Sequence, residues 1–270
     1  MICKLICSDI DGTLLDVKRQ LSTKTINAIK GIDESIPFVL ISSRMPKSIR
    51  LLQNELNRHN SPFIAYNGAL IFDKRGKIIE SVEIPFSITY QICNLLPHNS
   101  IHFSLYHNDQ WFVSSKDYWA EREENNTRVS PKVRSLSETL FSWEKSQKGA
   151  HKIMVMGEPL KLNKIESFIN NKFKYQVNSY RSKDTYLEIS NKKIDKAFAL
   201  EHLLSKVYPN INMIDVVAFG DNYNDQTMLE NVGMGIAVEN AKQEILDCTS
   251  FHTLNSHRDG VAVAINKINK

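Results

Sequence analysis

The sequence predicts an α/β protein: a Rossmann-like core with a parallel sheet, split by an inserted α+β domain. Three observations predict it. Short apolar runs without polar alternation are interleaved with helical patterns in the first third of the chain. The same interleaving resumes in the last third, and the stretch between is patterned differently.

The run Ile2-Cys3-Lys4-Leu5-Ile6-Cys7 is short and β-leaning. Leu21, Ile26, Ile29 and Ile32 approach helical spacing, with Ser22 placed to cap that helix. Pro37–Ile41 is a second strand, Pro46–Leu56 a helix with proline in its first turn, and Pro62–Tyr66 a third strand. This βαβαβ order predicts parallel pairing through right-handed crossovers. Helices covering both faces explain why the strands do not alternate.

Between Val82 and Leu187 the pattern changes. Ile101–Tyr106 and Trp111–Val113 alternate like half-buried strands, and His151–Met156 and Thr185–Ile189 also read as strands. Ser87–Leu96 and Lys161–Asn171 read as helices, and the Asn, Ser and Lys around Asn178–Asp184 as a loop or hairpin. The core pattern returns with a helix at Lys196–Val207, a strand at Asp215–Phe219, a helix at Asp225–Glu230 and a strand at Met234–Val238. Helices at Gln243–Asp247 and Val261–Ile268 complete it. The expected organisation is a discontinuous catalytic core, 1–82 and 188–270, with an inserted domain at 83–187.

The bulk numbers exclude other classes. With 42% hydrophobic and 24% charged residues over 270 positions, the chain has the composition of a soluble globular protein. A net charge of +4 spread without a basic stripe argues against a nucleic-acid partner. Cys3, Cys7, Cys93 and Cys248 form no CxxC pair and read as reduced residues. The N-terminal apolar run is too short for a signal peptide and no stretch is long enough to span a membrane, so a cytoplasmic location is expected.

The chemistry lies at strand ends. Asp9-Ile10-Asp11-Gly12-Thr13 follows the first strand, and in extended chain Asp9 and Asp11 point to one side. Two carboxylates held together need a cation or a proton between them, and an oxygen-rich pair of this kind suits Mg2+. Phe219-Gly220-Asp221-Asn222-Tyr223-Asn224-Asp225 brings a second acidic loop to another strand end, where open α/β sheets place their ligands. Ser42-Ser43-Arg44 follows the second strand and offers a hydroxyl and N–H groups to a phosphate. Lys196 opens the helix after the insert.

Taken in order, DIDGT, ISSR, this lysine and GDNYND resemble the haloacid dehalogenase-like superfamily, and within it the Cof-type phosphatases with a class IIB cap. Asn67-Gly68-Ala69, Asn240-Ala241 and Asp259-Gly260-Val261 add to the likeness. The resemblance implies a magnesium-dependent phosphomonoester hydrolase acting on small phosphorylated metabolites such as sugar phosphates. It implies Asp9 as the nucleophile that becomes an aspartyl-phosphate, and Asp11 as general acid and then base. Ile10, Ser42, Ser43, Lys196 and Asn224 would hold the phosphoryl group. Asp9, the carbonyl of Asp11 and Asp221 would hold magnesium, with Asp225 behind them. A dehalogenase needs no such acidic pair, so Asp11 speaks for phosphate chemistry. The sequence departs from the family at Ser43, Ala197 and Glu239, without removing a catalytic group.

Two other functions share these motifs. A phosphomutase would use the same aspartate and return the phosphoryl group to a second hydroxyl, and a non-catalytic regulator would only bind a phosphometabolite. His102, His107 and His151 lack ligand spacing and read as satisfied or solvated side chains. Arg181, Lys183 and Tyr186 are the insert residues expected to reach substrate.

Overall fold

The computed structural model describes residues 3–95 and 101–268; the expected helix end at Leu96 and strand start at Ile2 lie outside them. The chain folds into two compact units. The first holds the chain to Arg44, Ile49–Glu80, and Asp195 onward; the second holds Met45–Ser48 and Ser81–Ile194.

The first part of the chain supplies β1 (Leu5–Ser8), α1 (Thr23–Lys30), β2 (Phe38–Ile41), α2 (Pro46–Glu55), β3 (Phe63–Ala65), β4 (Leu70–Phe72) and β5 (Ile78–Ser81). In the insert follow α3 (Phe86–Leu95), β6 (Ile101–His107), β7 (Gln110–Val113), α4 (Tyr118–Thr127), β8 (Lys132–Val133) and α5 (Leu136–Ser146). They are followed by β9 (Lys152–Gly157), α6 (Pro159–Lys172), β10 (Val177–Lys183) and β11 (Tyr186–Asn191). The last part adds α7 (Lys196–Val207), β12 (Val216–Gly220), α8 (Gln226–Asn231), β13 (Met234–Val238), α9 (Gln243–Cys248), β14 (Phe251–Thr253) and α10 (Gly260–Ile268).

The core sheet runs β14-β13-β12-β1-β2-β3-β4-β5. From β14 to β3 every pair is parallel, and β4 returns antiparallel to β3. Thus β1 lies centrally, with Leu5 opposite Val216 and Ile6 opposite Phe38. Every residue of β1, β2 and β12 is buried, as a sheet covered on both faces requires. On one face Leu5, Cys7, Val39, Ile41, Val216 and Ala218 share a core cluster with Ala199, Leu200, Leu203 and Leu204 of α7. Each such leucine or isoleucine contributes about 1.5–3 kcal/mol by leaving water. Ser22 caps α1 as expected, its hydroxyl accepting from the N–H of Thr25 at 3.0 Å.

The insert forms its own sheet, β10-β11-β9-β6-β7-β8, antiparallel except for β7 with β8. Its strands alternate. Phe103, Leu105, Ile153, Val155, Leu187 and Ile189 share one cluster with Ile92 of α3, Leu140 and Trp143 of α5, and Leu162, Ile165 and Ile169 of α6. Residues 178–184, expected as loop or hairpin, belong to a hairpin, 178–183 in its outer strand and 184 in its turn, with Tyr180 opposite Glu188. The expected boundary at 187/188 falls inside β11, which pairs with β9 and β10, and the units part after Ile194 instead. Helices α4 and α5 were not expected. Asp117 caps α4, and Ser135 with Glu138 forms a capping box at α5. No helix among the described residues is long and apolar enough to cross a membrane.

Candidate active site

Three neighbouring strands end side by side. Asp9 is the first residue beyond β1, and its N–H donates to the carbonyl of Phe219 in β12 at 3.0 Å. Ser42 follows β2; its N–H donates to Ile64, and its carbonyl accepts from the N–H of Asn67. Gly220 ends β12 with no room for a side chain, since a Cβ there would stand 2.6 Å from that of Asp225. Lys196 is the first residue of α7, which Asp195 caps by accepting from the N–H of Phe198.

The Lys196 ammonium is fully buried and donates to Asp9 Oδ1 and Asp225 Oδ1, both at 2.6 Å. It also reaches the carbonyl of Ile41, the residue before Ser42, at 3.4 Å. Asp225 is fully buried too, and its Oδ2 accepts from the N–H groups of Asp221 and Asn222 at 3.0 and 3.1 Å. Asp221 is held by the Thr13 hydroxyl at 2.8 Å. Burial raises the Asp9 carboxyl to about 7, with Lys196 pulling it down and Asp225 adding to the rise. Burial also lifts Asp221 well above the carboxylate range, helped by Asp9 and Asp225. For Lys196 burial acts to lower the pKa, but Asp225 and Asp9 outweigh it and the ammonium stays charged.

One oxygen from each of Asp9, Asp221 and Asp225 lies within 4.8 Å of the others. Three carboxylates against a single ammonium leave a charge deficit that a divalent cation would neutralise, and an all-oxygen donor set suits Mg2+. The residues therefore fit a magnesium site. Asp225 commits both oxygens to Lys196 and to N–H groups, which leaves Asp9 and Asp221 as the carboxylates able to touch an ion.

Asp11 does not join that cluster. A turn begins at Asp11, closed by the N–H groups of Leu14 and Leu15 on the carbonyl of Ile10, so the strand alternation does not carry on to Asp11. Its carboxylate turns instead to Arg44, which donates from Nε to Oδ2 at 2.6 Å and from Nη2 to Oδ1 at 2.8 Å. Arg19 Nη1 adds a third bond to Oδ1 at 2.8 Å. Asn224 Nδ2 donates to Asn67 Oδ1, and Ser42 Oγ accepts from the N–H of Arg44. Ser43 is half-buried. The carbonyl of Ile10 is occupied by the N–H groups of Leu14 and Leu15.

Thr13 and Arg19 escaped the sequence reading. Thr13 lies in the DIDGT motif and could have been taken from it, whereas Arg19 carries no motif. Asn240, noted only as a likeness, donates to the carbonyl of Gly12 at 2.7 Å and so steadies the loop that follows Asp9. Glu239 accepts from the N–H of Asn255, which gives this departure from the family a role in the 255–258 turn. Within the insert, Arg181 bonds the carbonyl of Asp184 in its own hairpin, and Lys183 lies over the Tyr186 ring. A second group that could hold a metal, Glu83, His107 and His151, has its ring nitrogens engaged by Gly149, Asn108 and Ser81.

Comparisons with known proteins agree with this arrangement. The chain is 31% identical over 268 residues to a Haemophilus influenzae protein named "Putative phosphatase", covering 98% of each. It is 25% identical over 280 residues to the Bacillus subtilis phosphatase YwpJ, covering 96% of this chain and 97% of that one. Among solved structures, a Thermotoga maritima protein superposes with a TM-score of 0.86 at 26% identity, covering 98% of this chain and 97% of that one. A haloacid dehalogenase-like hydrolase of Bacteroides thetaiotaomicron gives the same score and identity, covering 98% and 99%. A model of the haloacid dehalogenase-like hydrolase family matches residues 6–265. With its acidic strand ends, buried lysine and inserted α/β unit, the chain belongs to the haloacid dehalogenase-like hydrolases, of the Cof type its motifs led us to expect.

Proposed function

We propose that this phosphatase hydrolyses small phosphorylated metabolites with the help of Mg2+, through a phosphoryl group carried on Asp9. The observation that carries the proposal is the Asp9 carboxylate, buried against the Lys196 ammonium at 2.6 Å and within 4.8 Å of Asp221 and Asp225.

Asp9 attacks phosphorus, the bond to the leaving oxygen breaks, and Asp11, protonated once it has turned from Arg44 and Arg19 toward the substrate, gives that oxygen its proton. Water then attacks the same phosphorus while Asp11 takes a proton back, and Asp9 leaves as a carboxylate with inorganic phosphate as product. Lys196 favours the ionised form of Asp9 against the burial that raises its pKa, and offers charge to the phosphoryl oxygens. Ser42, the N–H of Ile10, Ser43 and Asn224 orient those oxygens. Asp9, the carbonyl of Asp11 and Asp221 would hold the magnesium ion, with Asp225 fixing the Asp221 loop. A bound Mg2+ would supply neutralising charge to the phosphoryl oxygens. Phosphoryl transfer asks chiefly for such positioning and charge.

Hydrolysis of p-nitrophenyl phosphate tests this. Activity should require magnesium, vanish with a chelator, and fall at least about a thousandfold in Asp9→Asn. An Asp9→Asn enzyme working within tenfold of the parent would end the reading.

A further inference from the structure

We propose that Arg19 is a recognition site for a second oxyanion on the substrate, a carboxylate or another phosphate, next to the phosphoryl group being cleaved. The proposal rests on the phosphatase reading above and narrows its substrate class.

Asp11 receives more positive charge than one carboxylate neutralises. Arg44 alone grips it with two donors, and this guanidinium is 4% exposed. Arg19 donates one further bond to the Oδ1 that Arg44 already serves, and is 32% exposed. That bond is its single side-chain contact; Nε and Nη2 find no protein partner among the described residues. The neighbouring Asp16 makes no ion pair with it among the described residues; its Oδ1 accepts from the N–H groups of Lys18 and Gln20.

The backbone holds Arg19 in this place. The turn is closed by Arg19 N–H to Asp16 and Asp16 N–H to Gln20, and Arg19 sits at φ 58. A non-glycine residue rarely adopts that conformation, and here it aims a long cation back at Asp11. Asp11 lies close enough for its charge to act on Asp9. A guanidinium with unengaged N–H donors thus bonds Asp11, two residues along the chain from the carboxylate proposed to accept the phosphoryl group. Its planar fork suits a carboxylate or phosphate. A substrate with a neutral tail leaves those donors to water.

Matched pairs test it. 3-Phosphoglycerate and glycerol 3-phosphate differ by a carboxylate in place of a hydroxymethyl group. Fructose 1,6-bisphosphate and fructose 6-phosphate differ by a second phosphate. The expected result is a kcat/KM preference of at least about tenfold for the doubly anionic member of one pair. That preference should fall about tenfold in Arg19→Gln, chiefly through KM, and fall less in Arg19→Lys, which keeps the charge without the fork. The pair that responds identifies the anion. No preference in either pair, or one that survives Arg19→Gln in a variant melting normally, overturns the inference while hydrolysis of the singly anionic esters leaves the phosphatase reading standing. Failure to hydrolyse any of the four esters or p-nitrophenyl phosphate overturns both.

Discussion

Gly12 shows how closely the loop after β1 is fitted. It lies at φ 91, and a Cβ there would stand 2.3 Å from Asp221 Oδ2. Gly12→Ala therefore costs twice, in backbone strain and by pushing Asp221 away from Asp9. We expect about 1–3 kcal/mol of lost stability and at least about tenfold weaker magnesium binding. Calorimetric titration with Mg2+ checks this, and unchanged affinity would show that Asp221 is not the group displaced. Side-chain direction was the least legible level of the sequence. Asp9, Asp221 and Lys196 could be placed because each stands at the mouth of a strand or helix whose course is locally encoded. The turn of Asp11 toward Arg44 and Arg19 could not, since it depends on where β1 stops and how residues 16–20 fold back.

Among the elements, the start of β9 holds a titratable device. His151 is fully buried, accepts from the N–H of Asn108 at 3.2 Å through Nδ1, and meets the Ser81 hydroxyl at 2.9 Å through Nε2. His107, itself beside Glu83, lies 5.2 Å away ring to ring. Burial, aided by His107, holds the His151 pKa down at about 3. The unfolded chain then takes up a proton near pH 6.5 that the folded chain refuses, so this contribution is complete above pH 6.5 and declines as pH falls toward 3. Between pH 7 and 5 the loss is about 2 kcal/mol. Urea denaturation of the parent and His151→Asn at both pH values should show the smaller loss in the variant; parallel losses would place the sensitivity elsewhere. Element legibility followed hydrophobicity. The apolar core strands were readable, whereas α4, with the run Glu121-Arg122-Glu123-Glu124-Asn125-Asn126, offers almost no periodic apolar face. At α5 the signal was there, in Ser135 and Glu138 at capping-box spacing. Strand β10 exists by pairing with β11, and its half-exposed polar residues imitate a loop.

Taken together, the two sheets differ in how far along the chain their partners lie. The insert sheet is largely a chain of near neighbours, β6 with β7 and β10 with β11. In the core, β1 must find β12, with Leu5 opposite Val216 across the whole insert. Closing so long a loop is slow, so the insert hairpins should gain amide protection before β1 and β12 do. Pulse-labelled hydrogen exchange during refolding measures the order, and simultaneous protection of Asp9, whose N–H donates to Phe219 of β12, and Leu105 would contradict it. The interrupted parallel core was legible in the sequence because the apolar pattern stops and resumes, but the strand beside β1 was not, since pairing across an insertion leaves no local trace.

That same pairing has a meaning for synthesis on the ribosome. The Asp9 carboxylate emerges almost first, while the lysine bonded to it and the second acidic loop emerge near the end, with β12 between them. A chain interrupted before Lys196 therefore displays Asp9 without the ammonium and the acidic loop that surround it in the folded protein. On the mechanism proposed above such a product is inert toward phosphate esters, because the groups that act with Asp9 have not yet been made.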